Sequence, residues 1–562
     1  MKTAVQLPPM SARHDSALVT DAAAGGAPAG LFGSSPLEQA MGTYLPATVA
    51  FRLINFGRIL LLSWTMLQQQ FGLLNMILLV VNVMTPLCSF GLNEAITRYV
   101  PQNEARGSLA AFLRRSAVLL LGITAACLVP ILIFAQPLGG FFYAQVFADP
   151  AVRGAFSADA PSLARISAVV IALLIVYFYL LATLKGLRMF SALSVMEIMH
   201  GGLFLVLSVV AIALGRLSAL TLTVFYGCSL VVPIVFIGWG LRRAIAGWAV
   251  QQRTVETGRV LRALLKFGVW TTVAGVTWQI LVYYPAWFLN KVHGNEAVAV
   301  FSAVRQIGQF ILIGAVAVVA VVMSNVTKTW ETRGSAAANR QLSLAFRGCG
   351  LALLFGCVAA ALGRDLIIRM FRSDYAAGAA ILPLQLLFFL LAAYLAFLAI
   401  HFQLIEKTRQ LFWPWATGVA ANVLLALWLT GPKLETVQLT GLWRALAPWS
   451  DRVLITGFSG PQGLDGAAWC GVLAIACALL MCLVLLRAEH RHLDRGSYIL
   501  ILAAGLLACR PWMLALGAVV LLAATFRTGL LFSADERRRL FTYAADAFRH
   551  IPVIRSRGGR RR

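Results

Sequence analysis

Read from the N-terminus, the chain alternates long apolar runs with short stretches of Pro, Gly and charge. Twelve runs are long enough to cross the hydrocarbon of a bilayer as α-helices, about 20 residues each. The first six fall near 45–66, 71–92, 112–136, 163–184, 195–215 and 218–240, and the next six near 265–290, 297–325, 342–362, 379–402, 410–430 and 466–487. Residues 498–532 hold either two short spans, broken at Arg510-Pro511, or one long kinked element. The pattern predicts an all-α polytopic membrane protein of about 14 transmembrane helices.

Composition agrees. The 562 residues are 60% apolar and 12% charged, where soluble domains are about half apolar and a quarter charged. Such a chain cannot cover its own surface with polar groups. The nine cysteines lie in or beside apolar runs without metal-type spacing, and read as packing residues. No cofactor is expected. No apolar signal sequence precedes the first span, which itself must target the chain.

Charge orients the bundle. With the N-terminus inside, inward segments carry 33 of the 47 Lys and Arg, outward connections 11, and three (Arg52, Arg58 and Arg305) lie within spans. The asymmetry places both termini in the cytoplasm. It also accounts for the net charge of +25 without nucleic acid. The basic loops and tail instead meet anionic lipid. The richest inward segment, Leu241 to Lys266, divides the bundle into two six-helix lobes. The expected divisions are a disordered tail at 1–42, an N-lobe at 43–240, a basic linker at 241–263, a C-lobe at 264–487, spans 13 and 14 at 488–534, and a basic tail at 535–562. Residues 431–463 form the longest outward loop, in which Gly441–Trp449 has the character of an interfacial helix.

Ionisable residues inside spans mark pathways or partners. Arg58 lies ten residues before the Gln68-Gln69-Gln70 cluster, about 15 Å deep. Arg52 and Asn55 share its flank of span 1. In span 8, Ser302, Arg305, Gln306 and Gln309 share a face by their spacing. Glu94, Glu197 and Glu406 all fall near cytoplasmic ends, so the deep arginines lack matching acids and suit an anionic ligand. The plainer reading is that they bind backbone carbonyls and organise the bundle. Arg98, at the inner end of span 2, also fits interfacial snorkelling. His200 reads as satisfied by a neighbouring helix, and Tyr283, Tyr284 and Trp287 as an interface belt or a sugar-stacking set. No nucleotide-hydrolysis loop, HExxH or GxSxG is present.

Several segments, in order, resemble the multidrug/oligosaccharidyl-lipid/polysaccharide exporter superfamily, in its oligosaccharide-lipid (O-antigen and polysaccharide) flippase branch. Ser89 to Val100 is similar to the "LGL-x-x-A-[IL]-x-R" ending of span 2, and Leu264 to Gly268 to the entry of span 7. Gly294 to Gln309 is similar to the start of span 8, with Phe301 where Tyr is usual. Gly463 to Ala468 resembles the entry to span 12, and Ala534 to Arg538 the closing "x-x-E-R-R". The resemblance implies a cavity open alternately to each face and a polyprenyl-diphosphate-linked glycan as cargo. Related lipid II flippases carry cavity arginines in spans 1 and 8, which implies diphosphate-binding roles for Arg52, Arg58 and Arg305. The segment Phe51 to Arg58 departs from the lipid II pattern, which argues against that cargo.

The expected function is a flippase, not an enzyme, in the bacterial inner membrane. It would carry a lipid-linked oligosaccharide for surface polysaccharide or lipopolysaccharide synthesis beside a polysaccharide polymerase. The alternatives are a cation-coupled multidrug exporter of the same fold, which needs a carboxylate deep in a span, and a membrane glycan polymerase or ligase, for which Asp451 and Arg444 offer little.

Overall fold

The computed structural model describes residues 31, 37–105, 107–143, 160–246, 257–405, 407–429, 453–454, 463–489, 493–527, 531–533 and 535–538. Glu406, the Gly441–Trp449 stretch, the N-terminal tail to residue 30 and the tail from 539 onward lie outside the described residues, as do the side chains of Glu94 and Arg98.

Helices account for nearly all of the described chain, and its β-pairing is one isolated bridge, Leu454 to Cys509. The first half comprises α1 (Leu37–Thr65), α2 (Gln68–Ser89), α3 (Leu92–Ala105), α4 (Leu109–Ile133), α5 (Ala135–Tyr143), α6 (Ala160–Gly186), α7 (Phe190–Ala213) and α8 (Ala219–Ala246). The second comprises α9 (Thr257–Arg333), α10 (Ser335–Leu362), α11 (Arg364–Ile368), α12 (Gly378–Leu404), α13 (Phe412–Leu429), α14 (Leu464–Ala488), α15 (Arg495–Ala503) and α16 (Pro511–Arg527).

Among the described residues, ten helical stretches are long and apolar enough to cross a membrane. One of them, Gly268–Val316, counts twice. Its 49 residues would measure about 73 Å if straight, more than double the ~30 Å hydrocarbon core. The helix breaks at Gly294, whose φ of 78° and ψ of −173° are not helical. Arg305 lies over the ring of Tyr283, each eleven residues from that break, so the two arms fold back as a hairpin. Glycine is required there because a side chain rarely tolerates that conformation.

Span 2 is longer than its apolar run suggests. Phe90 and Gly91 both take positive φ, 52° and 60°, and the chain then continues as α3. Thr97 Oγ1 donates to Ala182 O at 3.4 Å, holding α3 against α6. The run after α14 is two short helical pieces on either side of Arg510-Pro511. Proline at the first position of α16 needs no backbone donor. Leu506 lies against Gly517, so the two pieces pack on each other.

In the first half, α1 packs on α7, α7 on α8, and α6 on α8 and α3; in the second, α12 packs on α9 and α14. Helix α12 is the hub of its half, with 94% of its spanning window buried. The principal contacts between halves run through the α9 hairpin against α2. Gly72 lies against Asn295 at one end of that seam, and Gly91 against Gly268 and Thr271 at the other. Both approaches are backbone-close, which is why small residues stand there.

The Gln68 end is also bonded across the halves. Trp64 Nε1 donates to Met370 O at 2.8 Å, Gln68 Nε2 to Glu296 O at 3.3 Å, and Gln69 Nε2 to Glu296 Oε1 at 3.0 Å. Arg372 pairs with Asp374 and donates to Met66 O. Phe56, Phe71, Phe371 and Tyr375 stack across the same seam. That end of the molecule is closed.

Candidate site: two arginines from opposite halves

Arg58 of α1 lies ten residues before Gln68, and Arg305 of α9 nine residues after Glu296. Gln68 bonds the Glu296 backbone, so the two reference points are level. At 1.5 Å per residue both arginines stand about 14 to 15 Å from the closed end, near the middle of a ~30 Å hydrocarbon layer.

Each guanidinium rests on an aromatic ring. Arg305 is only 3% exposed, with Cζ 4.2 Å from the Tyr283 ring centroid and Nη1 donating to Val282 O at 3.4 Å. Arg58 Cζ lies 4.1 Å from the Phe204 ring centroid. The Nε of each arginine is buried without a hydrogen-bond partner, and among the described residues neither forms an ion pair. A desolvated cation–π contact contributes about 2 kcal/mol, whereas taking an ion out of water costs several kcal/mol. The rings therefore offset only part of that penalty, and donors remain for an anion. Tyr226 of α8 packs on the same Phe204 ring, 5.1 Å between centroids, and so stands beside Arg58.

The other predicted residues fall around this pair. Asn55 Nδ2 donates to Phe51 O at 3.0 Å and faces α7 at Gly201. Ser302 is buried and Gln306 and Gln309 half-buried on the Arg305 arm. The opposite flank of that arm, at Val304 and Gly308, packs on Gly378 and Phe389 of α12. Arg52 is set apart from the pair, near Glu197. That glutamate sits two turns inside α7. The described part of Arg98 is its backbone, within α3.

Two aromatic residues of the site carry no signal in the sequence. Phe204 and Tyr226 are ordinary members of apolar helices until folding sets them beside Arg58. Tyr283 corrects the belt reading, because it turns inward beneath Arg305. Trp287 keeps an outer position against Phe141 and Lys291. His200 is satisfied by a neighbouring helix, with Nδ1 3.1 Å from Ser229 Oγ between the rings of Tyr177 and Tyr226.

Residues 39–324 match the polysaccharide biosynthesis protein family. The chain belongs to that family. Its fold is shared with solved transporters. The lipid II flippase MurJ, in an inward closed conformation, aligns with a TM-score of 0.58 at 14% identity, over 86% of this chain and 98% of that one. An inward-facing multidrug resistance MATE transporter of the MOP superfamily aligns at 0.56 and 16% identity, over 78% and 95%. A MOP superfamily transporter from Pyrococcus furiosus aligns at 0.54 and 15%, over 82% and 96%. At such identities these likenesses show the fold alone. No curated protein matches the chain by sequence. Membership and fold make this a multi-pass membrane protein of the polysaccharide biosynthesis family, with the fold of those transporters.

Proposed function

We propose that this family member flips a polyprenyl-diphosphate-linked oligosaccharide across a bacterial cytoplasmic membrane for surface polysaccharide or lipopolysaccharide (O-antigen) synthesis. The carrying observation is the pair Arg58 and Arg305: one from each half, at equal depth, each on a ring and neither neutralised by an acid. Forked guanidinium donors match the oxygens of a diphosphate. A glycan headgroup cannot cross hydrocarbon, since each hydroxyl buried without a partner costs several kcal/mol. A polar path between the halves removes that cost while the prenyl chain stays in lipid.

The basic asymmetry supports a cytoplasmic position for both termini and for α3, whose middle holds Arg98. The bonded Gln68 end is then the outer gate. In this state the site is closed outward, and parting of the halves at Gly72 and Asn295 would release cargo beside a polymerase. A cation-coupled exporter is the weaker reading, because the carboxylate within α7, Glu197, lies in the electrostatic range of two cations, Lys185 and Arg52.

The test is glycan export in cells whose surface polysaccharide depends on this protein. Arg58→Ala/Arg305→Ala should abolish export while the protein still reaches the membrane at normal levels. Full export by that variant would remove both arginines from the mechanism.

A further inference from the structure

Below Arg58, away from the closed end, α1 carries a polar stripe. Tyr44, Thr48, Arg52 and Asn55 follow one another at spacings of four, four and three, so they share a helix face. That face meets α7 closely, since the Phe51 ring presses against Gly201, where even a Cβ would lie only 2.7 Å from it. Glu197 of α7 and Tyr177 of α6 complete the group. Tyr44 packs on Phe190, Phe51 and Asn55 lie against Gly201, and Tyr177 packs on His200, so Glu197, between Phe190 and His200 on α7, stands along this face.

The group is built but incomplete. Arg52 Nε and Glu197 Oε2 are both buried and lack a hydrogen-bond partner. An ion pair serving only to neutralise charge would close, yet Arg52 and Glu197 form none within the 4.0 Å limit for such a pair. Buried polar atoms are nearly always satisfied, so two orphans of opposite character in one group point to a third party. The missing partner must accept from a guanidinium and donate to a carboxylate. Hydroxyl groups do both. Phenol rings beside them offer flat apolar faces for the C–H side of a sugar.

We infer that Arg52, Glu197, Tyr44 and Tyr177 form a sugar-binding subsite that holds the first sugar of the cargo, with Thr48 and Asn55 as further hydrogen-bonding groups. Arg52 then belongs to the glycan and not to the diphosphate. The geometry fits that division: Arg52 lies six residues from Arg58, about 9 Å along the helix, so a sugar attached to a diphosphate at Arg58 reaches it. The inference rests on the flippase reading, and the probes are chosen to separate the two.

Purified protein would be titrated with bare farnesyl diphosphate and with farnesyl diphosphates carrying glucose, galactose or N-acetylglucosamine. At least one glycosylated probe should bind about tenfold or more tightly than the bare one, the gain of hydrogen bonds to charged groups. Glu197→Gln and Arg52→Met should erase that preference and leave the bare probe's affinity unchanged. Arg58→Ala should weaken both probes alike. Tyr44→Phe, which removes one hydroxyl, should reduce the preference and serves if the charge variants fail to fold. An unaltered preference in Glu197→Gln, equal losses for both probes, or no sugar preference in the wild type would overturn the subsite. Failure of the wild type to bind even bare farnesyl diphosphate would overturn the flippase reading and the subsite together.

Discussion

Replacing Gly72 with Ala should open the outer gate. A Cβ at this position would lie 2.7 Å from the carbonyl carbon of Asn295 and 3.0 Å from its Cβ. Ordinary contacts between such atoms are 3.5 to 4 Å, so α2 and the α9 turn must part by roughly 1 Å at the end where Gln68, Gln69 and Trp64 bond the other half. Backbone on the far side cannot rotate away as a flexible side chain would. Overpacking of this kind costs about 1–3 kcal/mol, and it falls on the closed state alone. By the relation between free energy and equilibrium, the closed-to-open ratio should drop by about 5- to 150-fold. The assay is oxidative cross-linking of Gln69→Cys with Glu296→Cys, two positions whose side chains are hydrogen-bonded when the gate is shut. The cross-linking rate, which follows the closed fraction, should fall on adding Gly72→Ala. A rate undiminished by the methyl group would refute the claim that this contact sets the gate.

Three further outcomes are expected. Arg347 is buried and binds Asp494 at 3.0 Å and Glu536 at 2.7 Å, fastening the chain on either side of the last two helices to α10; Arg347→Met should lower stability by about 2 kcal/mol, below the buried-pair range because both carboxylates are partly hydrated, and additivity with Glu536→Gln in a double-mutant cycle would contradict the coupling. Arg347 and Ser533 hold the Glu536 carboxyl below its usual range; the clasp is therefore complete above the ordinary carboxylate range and lost as pH falls through the depressed value, so thermal stability should drop on acidification in the wild type more than in Glu536→Gln. Gly294→Ala forces a side chain into a left-handed turn at a cost of about 1–3 kcal/mol, and should reduce the yield of folded protein in detergent, whereas Gly57→Ala, with open space around it, should not.

Most of the helices are legible in the sequence because lipid demands them: each run of about 20 apolar residues has to satisfy its own backbone. The α9 break is legible too, since Gly294-Asn295-Glu296 interrupts an apolar stretch with residues suited to a turn. The extension of span 2 through α3 is legible only in part: the apolar run ends near 92, the family resemblance carries the span to Val100, and Leu92–Ala105 is too amphipathic for the apolar pattern to show its length. Its helicity comes from packing on α6. The same division holds at the site. Arg58 and Arg305 stand out because charge in an apolar run is costly wherever it points. Phe204 and Tyr226 do not, because their significance is that they lie under or beside a guanidinium from another helix. Glu197 is visible as a charge, but only the fold shows that it lies two turns inside α7, along the face that packs on α1.

The central claim is that Arg58 and Arg305 hold one diphosphate between them. Calorimetric titration of farnesyl diphosphate into the wild type, Arg58→Gln, Arg305→Gln and the double variant tests it directly. Each single change should weaken binding by about 10- to 150-fold, the range for a hydrogen bond to a charged group, and the double loss should differ from the sum because both groups grip the same ligand. Wild-type affinity in either single variant, or strictly additive losses, would contradict a shared diphosphate site.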